Sequence, residues 1–300
     1  MRSSAPTRRP PTQPPPVAEG ARARPHPLLR PGVLGYGGFR LAQERPRLRL
    51  ELPAGCVTLL FAWGAGMRLV DAVRGGEPRT YTSLISGMHT TAALGEHGGR
   101  LTGVQVLLAP WAAFRLLDVP LRELAETWTP PGEVLGRRFR SLLDALAEAG
   151  DWAARFALLD EALVRWYATG PAPAEQVEQA WESLAAADGM LRIPDLADSV
   201  GWSTRRLEQR FREQIGLTPK AAARALRLRH AARRLAGGES PAETALACGF
   251  YDQAHFNREF RAMAGCTPGA FLAFRGAADV PGLDRLEGQV TSALLDALPG

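Results

Sequence analysis

Two stretches of this chain repeat one another, and that repeat restricts the fold more than any single residue does. Leu196 to Pro219 reads LADSVGWSTRRLEQRFREQIGLTP, and Thr244 to Pro268 reads TALACGFYDQAHFNREFRAMAGCTP. Gly201-Trp202 corresponds to Gly249-Phe250 at an offset of 48. One added residue in the turn then aligns Leu207 with Phe256, Phe211 with Phe260, Gly216 with Gly265, and Thr218-Pro219 with Thr267-Pro268 at an offset of 49. Seven positions matched in order mark an internal duplication of one supersecondary unit.

Each copy predicts helix, tight turn, helix. In the first, Leu196, Ala197 and Val200 form one apolar face, and Gly201 supplies the left-handed backbone that ends the helix. Trp202 plugs the corner and Ser203 caps the next helix, whose Leu207, Phe211 and Ile215 recur every fourth residue and face inward. In the second, Gly249 turns, Phe250 plugs, Asp252 caps, and Phe256, Phe260 and Met263 face inward. Two short helices joined by a glycine turn form a helix-turn-helix, a unit whose second helix fits a DNA major groove.

Charge follows the repeat. Leu191 to Arg275 holds fourteen basic and eight acidic residues, a net +6, so the rest of the chain is −1 of the +5 total. That is the electrostatic footprint of a domain that meets a phosphate backbone. With the apolar positions inward, the first recognition helix presents Ser203, Thr204, Arg205, Arg206, Glu208, Gln209 and Arg212. The second presents Asp252, Gln253, Ala254, His255, Asn257, Arg258 and Arg261. Arginine pairs bidentately with guanine, and glutamine or asparagine with adenine. Glu208 either accepts from cytosine or pairs with Arg205 or Arg212, and His255 either contacts DNA or packs under the turn. Between the copies, Pro219 to Ala236 predicts a helix of roughly 27 Å at 1.5 Å per residue. That compares with about 34 Å between successive major grooves on one face of DNA. Arg227, Arg229, Arg233 and Arg234 on this helix are braces or phosphate contacts.

These residues resemble the C-terminal DNA-binding domain of the AraC/XylS family of bacterial transcription regulators. RLRHAARRL, GFYDQAHFNREFR and CTPGAF carry the resemblance, over about Ala174 to Arg275. It implies sequence-specific binding of promoter or operator DNA through two helices in adjacent major grooves, with RNA polymerase a further partner to consider. Pro241 and Thr244 stand where the family usually has isoleucine. LPAGCVTLLF and VQVLLAPWAAFRLLDVPLREL also resemble a regulatory domain that precedes this module in many actinobacterial members. That second resemblance implies a module for a small-molecule effector or for dimerisation. Monomer and homodimer both stay open.

The remaining sequence predicts an α+β chain. Met1 to about residue 27 is Pro/Arg/Ala-rich and reads as a disordered tail. Residues 28–170 read as a β-rich regulatory domain with a helical extension. Its expected strands lie at Leu48–Leu52, Val57–Phe61, Tyr81–Ser86 and Val104–Leu108. Its expected helices lie at Trp111–Leu117, Leu135–Ala149 and Trp152–Tyr167. Gly170-Pro171-Ala172-Pro173 is read as the linker, residues 174–276 as an all-α domain with two helix-turn-helix motifs on a linker helix, and residues 277–300 as a C-terminal extension.

Little points to other chemistry. Cys56, Cys248 and Cys266 form no CxxC pair and read as buried small hydrophobes. His89 and His97, with Glu96, are the nearest thing to a ligand cluster and read as exposed loop residues, so no metal and no cofactor are expected. GxSxG, P-loop and GxGxxG patterns are missing, which leaves no sequence basis for a hydrolase, NTPase or dinucleotide enzyme. An enzyme tethered to DNA by its C-terminal domain, and a nonspecific nucleoid protein, are the weaker alternatives. No apolar run reaches membrane-spanning length and no signal-peptide core follows the first arginines, so the expected location is the cytoplasm, on the nucleoid, away from membranes.

Overall fold

The computed structural model describes residues 17–276 and 292–295. Seven strands come first: β1 (Val17–Ala23), β2 (Val33–Glu51), β3 (Val57–Gly64), β4 (Met67–Asp71), β5 (Gly75–Tyr81), β6 (Leu84–Ser86) and β7 (Ala93–Leu108). Helix α1 (Pro110–Leu117), a 3-10 turn at Leu121–Glu123 and the short strand β8 (Trp128–Thr129) lead into α2 (Pro131–Leu135), α3 (Arg137–Glu148) and α4 (Trp152–Thr169). Then come α5 (Glu175–Ala186), α6 (Ile193–Ser199), α7 (Thr204–Ile215), α8 (Pro219–Ala236), α9 (Pro241–Ala247), α10 (Gln253–Ala264) and α11 (Pro268–Gly276). Strand β9 (Ser292–Leu295) returns to the sheet. The class is α+β, with all described strands but β9 gathered in the N-terminal half and helices through most of the C-terminal part.

The sheet is built on one long antiparallel pair, β2 with β7. Residues Tyr36–Ala42 of β2 carry β1, and Leu101–Leu108 of β7 carry β3. A register break between Gln43 and Arg47 bends the pair, as an irregularity of this kind does. Past it, Leu48–Glu51 carry β9 on one side and Ala93–His97 carry β4 on the other. The two halves of one strand pair therefore serve two cores. In the first, Val57, Phe61 and Val106 pack with Trp111, Phe139 and Leu159, and the cluster continues into Leu207, Phe211 and Leu226. In the second, Leu50 and Leu94 pack with Leu228, Phe256, Phe260 and Phe271.

Several expectations change. Residues 17–27, expected to be disordered, are ordered: β1 pairs residue for residue with β2, Trp152 Nε1 donates to Glu19 at 2.7 Å, and the His26 N–H donates to Asp160 at 2.8 Å. Strand pairing satisfies backbone groups and needs few apolar side chains, so composition alone misplaces this boundary. Residues 1–16 lie outside the described residues. Tyr81–Ser86 is two strands, and the helix expected from Leu135 is broken at Gly136, whose φ of 56° ends α2 and starts α3. The 170–173 break is real, yet the first core runs past it. Gly170 lies so close to α1 that a Cβ there would sit 1.8 Å from the Arg115 carbonyl oxygen, and the buried Gln214 accepts from the Ala174 N–H at 2.9 Å. Proline and glycine signal a backbone turn; they do not report whether the flanking elements share a core.

The histidines are not loop residues open to solvent. His89 stacks on Trp128 at 4.9 Å between centroids, and His97 sits inside β7 opposite Arg47 of β2 and Met67 of β4. Glu96 turns to Arg68 instead, at 3.1 Å. The three cysteines are buried and free, as expected, and burial pushes the thiols of Cys248 and Cys266 up to about 11.

Two outcomes follow. Because one core joins the sheet to α7 and α8, urea unfolding should be a single transition, coincident by tryptophan fluorescence and far-UV circular dichroism. Leu159→Ala should cost about 2–5 kcal/mol without splitting it, and two separate transitions would contradict the shared core. Burial, then the charges of Arg49 and Arg47, hold His97 below its ordinary pKa, with Glu51 opposing. The unfolded chain therefore takes up that proton first, so stability is intact above about pH 6.5 and declines as pH falls towards the folded value. His97→Gln should flatten that slope in pH-dependent melts, and an unchanged slope would assign it to other groups.

Candidate nucleic-acid interface

Both repeat units fold as the spacing predicts. In the first, α6 ends at Gly201 with φ +69°, and the Ser203 hydroxyl accepts from the Arg206 N–H at 3.3 Å to start α7. Leu207, Phe211 and Ile215 are wholly buried, with Phe211 against Trp181 at 6.2 Å between ring centroids. In the second, a capping box between Ser240 and Glu243 starts α9, Gly249 repeats the φ of +69°, and Asp252 accepts from the His255 N–H at 2.6 Å to start α10. Phe256 and Phe260 are buried, and Phe250 closes the corner against Phe256 at 5.1 Å. Thr244, in the place of a family isoleucine, is fully buried, and its hydroxyl has no partner among the described residues. A lone buried hydroxyl costs about 1–3 kcal/mol, so this second unit carries a penalty that the first lacks.

The burial of one helix face fixes what the other presents. On α7, Thr204, Arg205, Arg206, Glu208, Gln209 and Arg212 are all exposed, as is the cap Ser203. Arg206 lies over the Trp202 ring at 4.7 Å. Glu208 forms an ion pair with neither Arg205 nor Arg212. On α10, Gln253, Ala254, Arg258 and Arg261 are exposed, together with the cap Asp252. Among the described residues Arg205, Arg212, Arg258 and Arg261 form no ion pair, so four guanidinium groups face outward uncompensated.

Two expected readers sit differently. His255 is half-buried: its Nδ1 accepts from the Tyr251 N–H at 3.4 Å and its ring meets Phe250 edge-on at 5.5 Å, so it packs under the turn. Asn257 is also half-buried, with its Oδ1 enclosed and unpartnered among the described residues. Tyr251, by contrast, was not singled out by pattern and is 91% exposed immediately before the cap of α10. The cap Ser203 corresponds to the cap Asp252 at the offset of 49, so Tyr251 is the residue added to the second turn, and that insertion could have found it.

The strut α8 spans Pro219–Ala236, capped by the Thr218 hydroxyl. Of its five arginines, the four expected as braces or phosphate contacts all reach protein groups. Arg227 lies 5.8 Å over the Phe250 ring, and Arg229 donates to the Ala54 carbonyl at 3.0 Å. Arg233 meets Asp188 at 3.0 Å, and Arg234 meets Glu239 at 2.7 Å. Burial lowers the pKa of both Arg227 and Arg229, which marks them as groups drawn away from water. A separate pair, Arg224 with Glu259 at 3.0 Å, ties α8 to α10.

Comparison with known proteins agrees with this geometry. A family model described as a helix-turn-helix domain matches residues 196–273. The "uncharacterized HTH-type transcriptional regulator YbfI" of Bacillus subtilis (strain 168) is 32% identical over 108 residues, which are 33% of this chain and 39% of that protein. The match thus spans well under half of the relative's length. Among solved structures, a transcriptional regulator of Chromobacterium violaceum with an AraC-type DNA-binding domain is 32% identical over 33% of this chain and 89% of its own, at a TM-score of 0.30. ToxT of Vibrio cholerae aligns over 79% of this chain and 97% of its own at 10% identity and a TM-score of 0.41. Two helix-turn-helix units on one strut, in a segment that matches the domain model along its length, make the C-terminal part of this chain a helix-turn-helix domain of the AraC type.

Proposed function

We propose that the chain is a sequence-specific DNA-binding transcription regulator. Its two recognition helices, α7 and α10, enter adjacent major grooves of one duplex. The observation that carries this reading is the twin outward face. Each helix buries its aromatic side against the domain and leaves Arg and Gln side chains exposed, with four of the arginines uncompensated. A solvated surface helix typically offsets such charges with acidic neighbours at i+3 or i+4. Here Glu213 is taken up by Arg210 and Glu259 by Arg224, and Glu208 pairs with neither Arg205 nor Arg212, so the open face keeps its positive field. Arg205, Gln209 and Arg212 on α7, and Gln253, Arg258 and Arg261 on α10, are the base and phosphate contacts in this reading, with Tyr251 added at the turn. His255 and Asn257 are left as packing residues.

The strut sets the reach. A helix of 18 residues is roughly 27 Å long, which brings two flanking recognition helices near the groove repeat of about 34 Å. Residues 28–170, extended to Val17 by β1, then form a regulatory module built against the DNA-binding part. An effector or a second subunit would act through that module. No helix among the described residues is long and apolar enough to cross a membrane.

Gel shifts with promoter fragments test the assignment. Arg205→Ala and Arg258→Ala should each lose about 1–3 kcal/mol of discrimination between cognate and altered sites. Unchanged specificity in both variants would overturn the assignment of these helices as readers. Arg233→Ala should behave differently, lowering the melting temperature while leaving the salt dependence of binding as it was, since its guanidinium already holds Asp188. A flattened salt dependence would instead place Arg233 on a phosphate.

A further inference from the structure

The two recognition helices end in the same way and against the same body. Gly216, after α7, has φ +98°, and a Cβ there would lie 2.9 Å from the Leu121 carbonyl oxygen in the 3-10 turn of the N-terminal module. Gly265, its counterpart after α10, has φ +76°, and a Cβ there would lie 2.9 Å from the Ala72 carbonyl oxygen at the end of β4. The second contact is sealed by a backbone hydrogen bond from the Ala92 N–H to the Met263 carbonyl at 2.7 Å. Each glycine thus serves twice, as helix stop and as the only residue slim enough for the contact.

Those two contact points are themselves joined by a compact polar bridge. Five residues beyond Leu121, Glu126 takes the left-handed conformation, with φ 58°. Its carboxylate meets Arg74 at 2.8 Å and accepts from the Thr90 hydroxyl at 2.5 Å and the Thr90 N–H at 3.1 Å. Asp71, beside Ala72, accepts from the Thr91 hydroxyl at 2.6 Å and from the Arg74 N–H at 2.7 Å. The Ala72 N–H in turn donates to the Ala92 carbonyl at 2.8 Å. A short path therefore runs from the stop of one recognition helix to the stop of the other, apart from α8: close contacts at Leu121 and Ala72, the chain from Leu121 to Glu126, and hydrogen bonds and ion pairs between Glu126 and Asp71.

We infer that the Arg74–Glu126–Thr90 bridge is a yoke: it positions α7 and α10 relative to one another and so sets the operator spacing that the protein accepts. This rests on the reading of α7 and α10 as DNA readers; the mechanical part, that the bridge fixes their separation, does not. An inserted base pair moves the second groove by roughly 3.4 Å and about a tenth of a turn, so a rigid yoke rejects altered spacing and a loose one tolerates it. Arg74, Glu126 and Thr90 lie outside the recognition helices and are positioning residues.

The test uses the full chain labelled with nitroxides at Gln209→Cys and Gln253→Cys, both exposed. The native thiols are buried, and those of Cys248 and Cys266 are pushed up to about 11, so they stay unlabelled at neutral pH. Electron–electron distance measurement should give one narrow distribution for the parent. Arg74→Ala and Glu126→Gln should broaden it, whereas Arg68→Ala, which removes the separate pair with Glu96, should not. Equally narrow distributions in Arg74→Ala and Glu126→Gln would overturn the yoke, whatever the DNA data show. On operators lengthened by one base pair, the parent with Gln209 and Gln253 intact and unlabelled should lose about tenfold in affinity, and the two bridge variants in that same background less than about threefold. If the parent binds no operator selectively, the regulator reading fails while the distance distributions still decide the yoke.

Discussion

The structure depends on one constraint applied twice: an apolar side chain, aromatic at the helix centre, must be buried at every fourth position of a short helix. Phe211 and Phe260 are the central members, and their burial leaves each helix with no freedom about its own axis. Truncating such a residue typically costs about 3–5 kcal/mol, more than any exposed contact on these helices contributes. Arg205, Gln209 and Arg212, or Gln253, Arg258 and Arg261, face outward as the consequence. The interface is thus specified by residues that never touch it.

Relative placement of the two units is the second level. Helix α8 gives Ala222, Ala223 and Leu226 to one core and Ala225, Leu228 and Leu235 to the other, so it is held from both sides. The bent β2–β7 pair does the same from the N-terminal side. Strand β9 adds a cross-tie, since it pairs with β2 while the Arg275 guanidinium donates to the Ser292 carbonyl at 2.6 Å. The N-terminal module is then a frame against which α7 and α10 are set, so a distortion of the frame has a direct path to them.

Much of the C-terminal part was legible because its signals are local. Caps at Ser203 and Asp252, left-handed glycines at Gly201 and Gly249 and a four-residue apolar period each act within a few residues, and the strut came out at Pro219–Ala236 as expected. What pattern could not supply was anything set across long sequence separations. The pairing of β1 with β2, the return of β9, and the engagement of Arg229 with Ala54 and of Arg233 with Asp188 join residues far apart in the chain. His255 and Asn257 come out half-buried and not fully exposed for a subtler reason. They flank the buried stripe of α10, where a helical wheel cannot separate the rim from the open face. Tyr251 was overlooked because it lies in the turn, outside the helix on which the periodicity was counted.

The central claim is that two copies of one motif, locked in place, touch two turns of a single duplex. Guanine N7 methylation interference on a bound operator measures this most directly, because that atom lies in the major groove. The account expects two clusters of interfering guanines centred about 10–10.5 base pairs apart on one face of the helix. One cluster alone, or two on opposite faces, would contradict it.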